Sequence, residues 1–399
     1  MPNARQRCIT SCSIARIRAH SKQARVTDAH PRVVHLVPQL FGAHDAVYGG
    51  AERYALELAR HMAERVCTSL VPFGATAREE TIGRLWIHVI GNPHYMRGQK
   101  SNPLAWQLFP QLHSADVVHC HQQHVIASSL AALYCRMTGR KVFATDLGGG
   151  GWDISGYFST DAWYHGLLHI SEYSRTIAGH ESNRRAHVIL GGVDTTKFFA
   201  EPSVERKDYL LFVGRLLPHK GIDELIRAIP DGMELQIVGQ VCDQRYFDAL
   251  TRMAEGKRVI FRRDCSDADL IEAYRTALCV VLPSVYRTMY NDQSSVPELL
   301  GQSLLEGMAC CAPSICTRVA SMPEIVDDGV TGFIVPPNDP AALREKIRWL
   351  REHPADAAAM GRRSRERVLD KFTWPSVIDR CLTIYGASLG EGGHGGPPY

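Results

Sequence analysis

Short apolar runs alternate with longer amphipathic segments along most of the chain, and this alternation limits the available folds more than any other feature. The run YLLFV at 209–213, for example, is followed by a segment in which isoleucine and leucine recur at helical spacing after Gly221. Strands that are connected through helices lie parallel, and helices cover both faces of the resulting sheet. The sequence therefore predicts an α/β protein with two Rossmann-like domains. The predicted strands are 33–37, 68–71, 86–90, 116–119, 142–145 and 188–190 in the first half and 209–213, 234–238, 258–261, 279–282, 313–316 and 332–335 in the second; helices are predicted for 51–64, 125–137 and 174–180.

A polar stretch at 198–207, which includes AEPSVERK, separates the two halves. A chain of 399 residues that is 45% hydrophobic is long enough to bury two cores of ordinary domain size. The predicted organisation is a basic disordered leader over 1–30, an N-terminal domain over 31–200, a C-terminal domain over 205–372, a last helix over 373–386 and a flexible tail over 387–399.

Positive charge is concentrated at the start of the chain. Residues 1–27 carry six basic residues and no acidic one, whereas the formal net charge of the whole chain is only +3. We expect a disordered leader or a misassigned start; contact with an anionic membrane and a targeting role are the alternatives, although the apolar region of a secretory signal is missing. The twelve cysteines contain no CxxC pair, and no apolar run approaches roughly 18 residues. These features favour a reduced, cytoplasmic setting, with a peripheral position at the inner membrane face as an option.

Two acids in the C-terminal half suggest the chemistry of the site. The segment PELLGQSLLEGMA at 297–309 places Glu298 and Glu306 with seven residues between them around Gly301. We expect Glu298 to lie in a loop and Glu306 on the first turns of the helix that Gly301 to Ser303 open. Carboxylates accept hydrogen bonds from sugar hydroxyls, and a helix N-terminus binds phosphate.

Two cations precede this segment. Gly214 and Arg215 follow the strand 209–213, and Lys220 with Gly221 immediately precedes a predicted helix. Open parallel sheets bind phosphate groups at the carboxyl ends of their strands. Together with the two acids, these residues predict a pocket for a diphosphate-linked sugar.

A glycine pair in the first half is a further candidate. Gly49 and Gly50 come just before a predicted helix, where glycines expose backbone N–H groups to an anion without an intervening side chain. The alternative is a turn that geometry alone requires.

In this order the motifs resemble the retaining glycosyltransferases of family 4, also known as glycosyl transferases group 1. The matching pieces are Gly49 to Glu52, Val188 to Asp194, Gly214-Arg215 with Lys220-Gly221, Glu298 to Ala309, and Pro323-Glu324 with 332–335. The resemblance implies the GT-B fold, in which two Rossmann-like domains face each other across a cleft. It also implies an acceptor-binding N-terminal domain, a donor-binding C-terminal domain and a last helix that crosses back to the first domain.

The resemblance further implies a nucleotide-sugar donor, retention of anomeric configuration by front-face attack, and neither a metal ion nor a cofactor. We assign catalysis to Arg215, Lys220, Glu298 and Asp146. The residues assigned to donor binding are Gly49, Gly50, Gly214, Gly301, Gln302, Ser303 and Glu306. The expected acceptor is a glycan, a lipid-linked molecule or a small molecule, and no nucleic-acid partner is expected. The oligomeric state, the identities of donor and acceptor and the linkage that is formed stay open.

The chain departs from the family pattern at two places. Many members have a histidine after the strand that here reads KVFAT, whereas this chain offers Thr145 or Leu147 with Asp146 between them. The sugar-facing role then passes to Asp146 or to the backbone of Gly148 to Gly151, which form either an acceptor loop or a mobile connection. The second departure is an insertion at 285–297, which could be a lid, a sugar-selective loop or a subunit contact.

Two tempting metal signals have simpler explanations. Asp267 and Asp269 match the DxD of metal-dependent glycosyltransferases, but they follow Ser266 at a helix start, where capping and the helix dipole explain acids. In HCHQQH, the strand-like spacing of His119 and His121 could bring two imidazoles together; zinc, an acceptor contact and packing are the options.

Alternative functions remain at this stage. A sugar-nucleotide epimerase of the same fold, a phosphorylase and a catalytically silent nucleotide-sugar-binding protein would each share part of the pattern. The basic leader and four arginines on one late helix hint at a lipid-linked or cell-surface glycan, whereas a solvated arginine-rich helix explains them equally well. These arginines are Arg362, Arg363, Arg365 and Arg367.

Overall fold

The computed structural model describes residues 31–38, 49–148, 151–201 and 203–390. The leader predicted for 1–30 lies outside them. The described chain forms two large sheets, one from each half of the sequence.

The N-terminal sheet has eight strands in the order β10-β9-β8-β7-β1-β2-β4-β3. Its two central strands, β1 and β7, are buried at every residue, as expected for parallel strands that are covered on both faces. They pair in parallel, with His35 beside His119. A separate two-stranded pair consists of β5 and β6. The strand bounds are β1 Val33–Val37, β2 Thr68–Gly74, β3 Arg78–Ile82, β4 Leu85–Gly91, β5 His94–Tyr95, β6 Pro103–Leu104, β7 Val117–His121, β8 Lys141–Thr145, β9 Gly166–His169 and β10 Ala186–Val188.

The C-terminal sheet has six parallel strands in the order β13-β12-β11-β14-β15-β16. This is the strand order of a doubly wound nucleotide-binding fold, and the chain reverses direction across the sheet between β11 and β14. The strand bounds are β11 Lys207–Val213, β12 Glu234–Val238, β13 Arg258–Arg262, β14 Ala277–Leu282, β15 Ser314–Thr317 and β16 Gly332–Val335.

Helices cover both sheets. Within the described residues they are α1 Gly50–Ala63, α2 Leu108–His113, α3 Ile126–Met137, α4 Glu172–Ile177, α5 Ile222–Ala228, α6 Gln244–Met253, α7 Asp267–Thr276, α8 Gln302–Ala309, α9 Met322–Ile325, α10 Pro340–Glu352, α11 Pro354–Lys371 and α12 Trp374–Gly390.

The last helix packs on the N-terminal half of the chain. Trp374, Ile378 and Tyr385 of α12 are buried in one apolar cluster with Tyr54 of α1 and Phe143 of β8. The helix continues to Gly390, so the first residues of the predicted flexible tail are helical; the tail residues 391–399 lie outside the described part.

The predicted fold class is confirmed, because both large sheets are parallel in their central strands and helices connect the strands. The sequence did not reveal β5, β6, β9 or β3. Strand β3 pairs antiparallel with β4. Its sequence REETI lies at the sheet edge and is partly or fully exposed, so it lacks the apolar run that identifies a buried strand. In the described part of the chain, no helix combines the length and hydrophobicity that crossing a bilayer requires.

Candidate functional site

The C-terminal sheet provides a binding crevice where its strand order reverses, between the carboxyl ends of β11 and β14. Gly214 and Arg215 directly follow β11, and Ser284 lies just after β14. Open parallel sheets bind their ligands outside such a reversal. The predicted residues Gly214 and Arg215 therefore lie where the fold itself favours a ligand.

A short turn brings Lys220 to the same point. The 3₁₀ turn Pro218–Lys220 ends at Gly221, whose φ of +64° is left-handed. A β-carbon at this position would lie 2.0 Å from the carbonyl oxygen of Pro283. Only glycine fits here, since both the backbone conformation and the approach to the end of β14 exclude a side chain.

Lys220 and Glu298 form a nearly buried ion pair in this crevice. The ammonium group of Lys220 donates to Oε1 of Glu298, and the hydroxyl of Ser284 donates to the same oxygen at 2.9 Å. The side chains are only 13% and 9% exposed. The pair joins the turn before α5 to the loop before α8, so it fixes the relative position of two of the predicted catalytic residues.

The pKa of His219 depends on the charged groups around this pair. Burial, together with the positive charges of Lys220 and Arg215, lowers the pKa of His219 to about 4, and the negative charge of Glu298 opposes this shift. The imidazole is therefore neutral at pH 7 and lies within the field of all three charged groups. The structure brings Arg215, Lys220 and Glu298 together, and it adds His219, which the sequence analysis did not single out.

The helix α8 begins at Gln302 as predicted, with Gly301 as its N-cap residue. Gly301 has no side chain to cap the helix, and Gln302 and Ser303 are partly exposed at its start. The side chain of Gln302 donates to the carbonyl oxygen of Gly192 at 3.3 Å. The start of α8 therefore contacts the chain at Gly192, shortly before the second half begins.

Glu306 lies in a different environment from Glu298. It is buried along α8 and accepts a hydrogen bond of 2.7 Å from the hydroxyl of Tyr274. Burial raises the pKa of Glu306, whereas the hydrogen bond from Tyr274 and the positive charge of Arg53 oppose that shift. The two carboxylates are thus chemically distinct: one is held in an ion pair and the other accepts a neutral hydroxyl.

The start of α1 forms the facing wall. Gly49 is the N-cap residue of α1, and a β-carbon on it would lie 2.8 Å from the carboxylate of Glu52. A β-carbon on Gly50 would meet no atom of the described residues within 4 Å. The described residues therefore leave room for a ligand to approach Gly50.

Two charged residues in the first turn of α1 face the C-terminal half. Burial raises the pKa of Glu52, and the nearby positive charge of Arg215 opposes this shift. Arg53 lies close enough to Glu306 to lower its pKa. The sequence analysis quoted Glu52 only as part of a motif and missed Arg53. Their position directly after the predicted glycine pair was the one available signal.

Asp146 lies in the loop directly after β8. Its carboxylate accepts a hydrogen bond from the backbone N–H of Gly148 at 3.2 Å, and burial raises the pKa of this acid. A β-carbon on Gly148 would lie 3.2 Å from the side chain of Leu299, the residue after Glu298. The ionisable groups that act on Asp146 are His124 and His180, both in the N-terminal half; residues 149 and 150 of the glycine loop lie outside the described part.

Hydrogen bonds at the start of α4 hold the two halves together beside the crevice. Ser171, the N-cap residue of α4, donates to the carbonyl oxygen of Leu299 at 2.9 Å. The carboxylate of Glu324 accepts from the backbone N–H groups of Glu172 and Tyr173 at 2.8 and 2.7 Å. An acid from the C-terminal half thus satisfies the free N–H groups of a helix in the N-terminal half.

The insertion at 285–297 lies along the same boundary. The guanidinium group of Arg245 stacks on the ring of Tyr290 at 4.0 Å from its centroid. At the far end of the insertion, the hydroxyl of Tyr173 donates to the carbonyl oxygen of Ser295 at 3.1 Å. The insertion therefore packs on the C-terminal half and contacts the N-terminal half near the site.

The two acids of the DxD sequence have structural roles. Ser266 caps α7 by accepting from the N–H of Asp269, and Asp267 pairs with Lys197 at 2.6 Å, which confirms the helix-start interpretation.

The histidine pair lies in a buried cluster with His35. His119 hydrogen-bonds to Thr145 and to Tyr385, both at 2.7 Å, and His121 lies 2.8 Å from His35. Nitrogens of the three histidines lie within 4.8 Å of one another. Burial lowers the pKa of His35 to about 3, so its ring is neutral at pH 7.

The late arginine-rich helix is also explained by packing. Three of its four arginines donate to backbone carbonyl groups within the C-terminal half: Arg363, Arg365 and Arg367. These three guanidinium groups therefore contribute to the fold of the C-terminal half.

Two family models match the chain. The model described as Glycosyltransferase Family 4 covers residues 48–197, and the model described as Glycosyl transferases group 1 covers residues 193–367. The two matches meet at the segment that links the two sheets, and together they include every residue that was assigned to the site.

Curated relatives carry names of the same kind. The chain is 29% identical over 230 residues to alpha-maltose-1-phosphate synthase of Mycolicibacterium smegmatis, which covers 50% of this chain and 56% of that protein. It is 32% identical over 203 residues to a GDP-mannose-dependent phosphatidylinositol monomannoside mannosyltransferase of the same organism, covering 46% of this chain and 51% of that protein. The chain thus spans little more than half the length of these relatives.

Solved structures share the fold at low identity. Anabaena HepE, in a crystal structure with UDP and glucose, superposes with a TM-score of 0.69 at 18% identity, covering 90% of this chain and 100% of that chain.

Proposed function

Because the chain belongs to glycosyltransferase family 4, we propose that it transfers a hexosyl unit from a UDP- or GDP-linked sugar to a glycan, lipid-linked or small-molecule acceptor. The transfer retains the anomeric configuration of the sugar, proceeds by front-face attack and uses neither a metal ion nor a cofactor. The observation that carries this proposal is the cluster of Arg215, Lys220 and Glu298 at the strand reversal, opposite the start of α1.

The cations of the cluster suit a departing diphosphate. Negative charge grows on the diphosphate as the bond to the sugar breaks, so cations placed beside it stabilise the transition state more than the bound donor. Lys220 has three N–H donors and uses one for Glu298. In the proposed complex its remaining donors and the exposed guanidinium group of Arg215 bind the diphosphate, and the uncapped start of α8 at Gly301 adds backbone N–H groups.

The two carboxylates suit the hydroxyl groups of the donor. In the proposed complex Glu298, held by Lys220 and Ser284, accepts hydrogen bonds from the sugar. Glu306, further along α8 beside Arg53, accepts from the nucleotide. In front-face transfer no protein nucleophile is needed, because the acceptor hydroxyl attacks on the side from which the diphosphate leaves and passes its proton to a leaving oxygen. The main contribution of the protein is then position and charge.

Names of similar proteins agree with a nucleotide-sugar donor but differ on the nucleotide. HepE was solved with UDP and glucose, and the mycobacterial mannosyltransferase is called GDP-mannose-dependent. The proposal therefore keeps both nucleotides.

The test is a donor panel of UDP-glucose, UDP-N-acetylglucosamine, GDP-mannose and ADP-glucose, assayed for release of nucleoside diphosphate and, by proton NMR, for the anomer of the product. We expect slow hydrolysis of one donor with retained configuration, unchanged by EDTA. Glu298→Gln should abolish this hydrolysis, while Glu201→Gln, which changes a 46% exposed carboxylate paired with Arg275, should not. An inverted product, loss of activity in EDTA, an epimerised sugar nucleotide, or binding without turnover would each contradict the proposal.

A further inference from the structure

An exposed apolar surface lies on the N-terminal half, along α3 and the chain that enters α2. Trp106 and Met137 are each 78% exposed, and Leu133 is 40% exposed. Leu133 and Met137 lie four residues apart on α3, so their side chains share one face of that helix. We call these three residues, with the rings of Phe109 and Tyr134 between them, the α2–α3 surface.

Aromatic rings make the α2–α3 surface continuous. The ring centroid of Trp106 lies 5.7 Å from that of Phe109, which in turn lies 5.2 Å from that of Tyr134. The hydroxyl of Tyr134 lies 2.9 Å from Nδ1 of His113 at the end of α2. The exposed indole and the exposed end of α3 therefore belong to one patch, which the partly buried rings hold in place. Contiguous exposed apolar side chains mark an interaction site.

Positive charge borders these apolar residues. The segment 104–141 contains the three basic residues Arg136, Arg140 and Lys141 but only one acidic residue, Asp116. The carboxylate of Asp116 already accepts a hydrogen bond of 2.8 Å from a backbone N–H group. The guanidinium group of Arg140 lies 5.9 Å from the ring centroid of Tyr134. Cations and apolar side chains therefore lie side by side on the same part of the molecule.

The positive charges are close enough to act on one group. Burial, together with the positive charges of Lys141, Arg136 and Arg185, lowers the pKa of His165 to about 4. Nη1 of Arg136 lies 3.3 Å from Nε2 of this neutral imidazole. Arg136 belongs to α3, Lys141 to β8, and Arg185 directly precedes β10. Three different segments thus contribute cations to one positive region at the end of α3.

This combination of side chains suits the surface of an anionic bilayer. Tryptophan and other large apolar side chains enter the boundary between headgroups and acyl chains, and arginine and lysine beside them bind lipid phosphates. A second copy of the chain fits worse. A symmetric contact through this surface would bring the guanidinium groups of Arg136 and Arg140 in one copy close to the same groups in the other, and like charges repel.

We propose that the α2–α3 surface docks on a bilayer that contains anionic phospholipids, with its three exposed apolar side chains at the headgroup boundary and its basic side chains on the phosphates. The inference does not depend on the proposed transfer reaction, because the cluster of Arg215, Lys220 and Glu298 belongs to the other half of the chain.

The test is a lipid titration of the full chain, read by flotation, with vesicles of phosphatidylcholine alone and of phosphatidylcholine mixed with phosphatidylglycerol. We expect binding to the mixed vesicles only. The double variant Arg136→Gln/Lys141→Gln should weaken this binding about 30-fold, because each cation near an anionic surface contributes about fivefold. Arg252→Gln/Arg348→Gln removes two exposed cations of the C-terminal half and should leave binding unchanged.

Tryptophan fluorescence shows which part of the chain contacts the lipid. Mixed vesicles with brominated acyl chains should quench the tryptophan emission on binding, and Trp106→Ala should remove most of this quenching and weaken the binding. Trp86→Ala removes a 50% exposed indole on β4, outside the α2–α3 surface, and should do neither. Met137→Ser should weaken binding without a change in Tm, because its side chain is 78% exposed.

Three results would overturn the proposal. The first is no binding to the mixed vesicles, and the second is equal binding to both kinds of vesicle. The third is binding as strong as wild type in Met137→Ser and in Arg136→Gln/Lys141→Gln, which would assign the membrane contact to another part of the chain, such as the basic leader. A dimer in analytical ultracentrifugation that Trp106→Ala dissociates, without vesicle binding, would assign the surface to a second copy instead.

Discussion

The ion pair between Lys220 and Glu298 gives the sharpest quantitative prediction. Lys220→Met keeps the aliphatic stem and removes the ammonium group, which leaves Glu298 in a crevice with Ser284 as its one described hydrogen-bond donor. Removing one partner of a buried pair costs about 3–5 kcal/mol. Because these side chains keep 13% and 9% exposure, we take the lower end, about 3 kcal/mol of unfolding free energy.

The assay is urea unfolding followed by tryptophan fluorescence and by circular dichroism, with thermal melts alongside. For a domain of this size, about 3 kcal/mol corresponds to a fall in Tm of roughly 6–12 °C. The matched control is Arg351→Met in the same half of the chain. Its pair with Asp208 is 2.6 Å long but 43% and 46% exposed, so its loss should cost less than about 1 kcal/mol.

A double variant tests the reasoning directly. Lys220→Met combined with Glu298→Gln replaces the charged pair by neutral side chains and should recover most of the stability, since no charge remains buried without a partner. If Lys220→Met unfolds within 1 kcal/mol of wild type, or if the double variant loses the sum of the two single losses, the pair is not the buried, coupled unit that we describe.

Three further predictions concern the backbone, the donor and pH. Gly221→Ala should lower the free energy of unfolding in urea by more than about 2 kcal/mol, because the left-handed backbone at this position disfavours alanine. The new β-carbon would also lie 2.0 Å from the carbonyl oxygen of Pro283. A variant as stable as wild type would contradict this prediction. Arg215→Ala should weaken donor binding in calorimetry by about 1.5–3 kcal/mol, roughly 10- to 150-fold, without a change in Tm, whereas Arg252→Ala, an exposed arginine on α6, should do neither. Burial lowers the pKa of His35 from 6.5 to about 3, so as the pH falls below 6.5 the unfolded chain binds a proton at His35 before the folded chain does. This residue alone should therefore cost about 2 kcal/mol of unfolding free energy between pH 6.5 and 5. His35→Gln should reduce this dependence on pH, and an unfolding free energy that rises toward pH 5 would contradict the predicted direction.

The elements that carry the site could be predicted from local sequence. The run YLLFV before Gly214 identified β11, and the glycine at 301 with the apolar spacing after it identified the start of α8. Strand and helix periodicity, capping residues and turn glycines act over a few residues, so one sequence is enough to recognise them. Parallel sheets follow from the alternation of strand and helix, and the carboxyl ends of the strands then place Arg215 and Lys220 on one edge.

Contacts between distant segments could not be predicted in the same way. Nothing near Arg53 indicates that it faces Glu306, and nothing near His35 indicates that it joins His121. The same holds for Glu324, which binds the start of α4 from 151 residues away in sequence. These pairings depend on how the two sheets are oriented and on which side chains fill the space between them.

The sequence alone therefore determined the fold class and which short segments contain the chemistry. The tertiary structure decided which charges meet: it paired Lys220 with Glu298, set Glu52 opposite Arg215, and gathered Arg136 and Lys141 around His165. The physical reason is that secondary structure is encoded by short-range periodicity and backbone preference. The environment of a charge, by contrast, depends on burial and on neighbours that the chain brings together only when it folds.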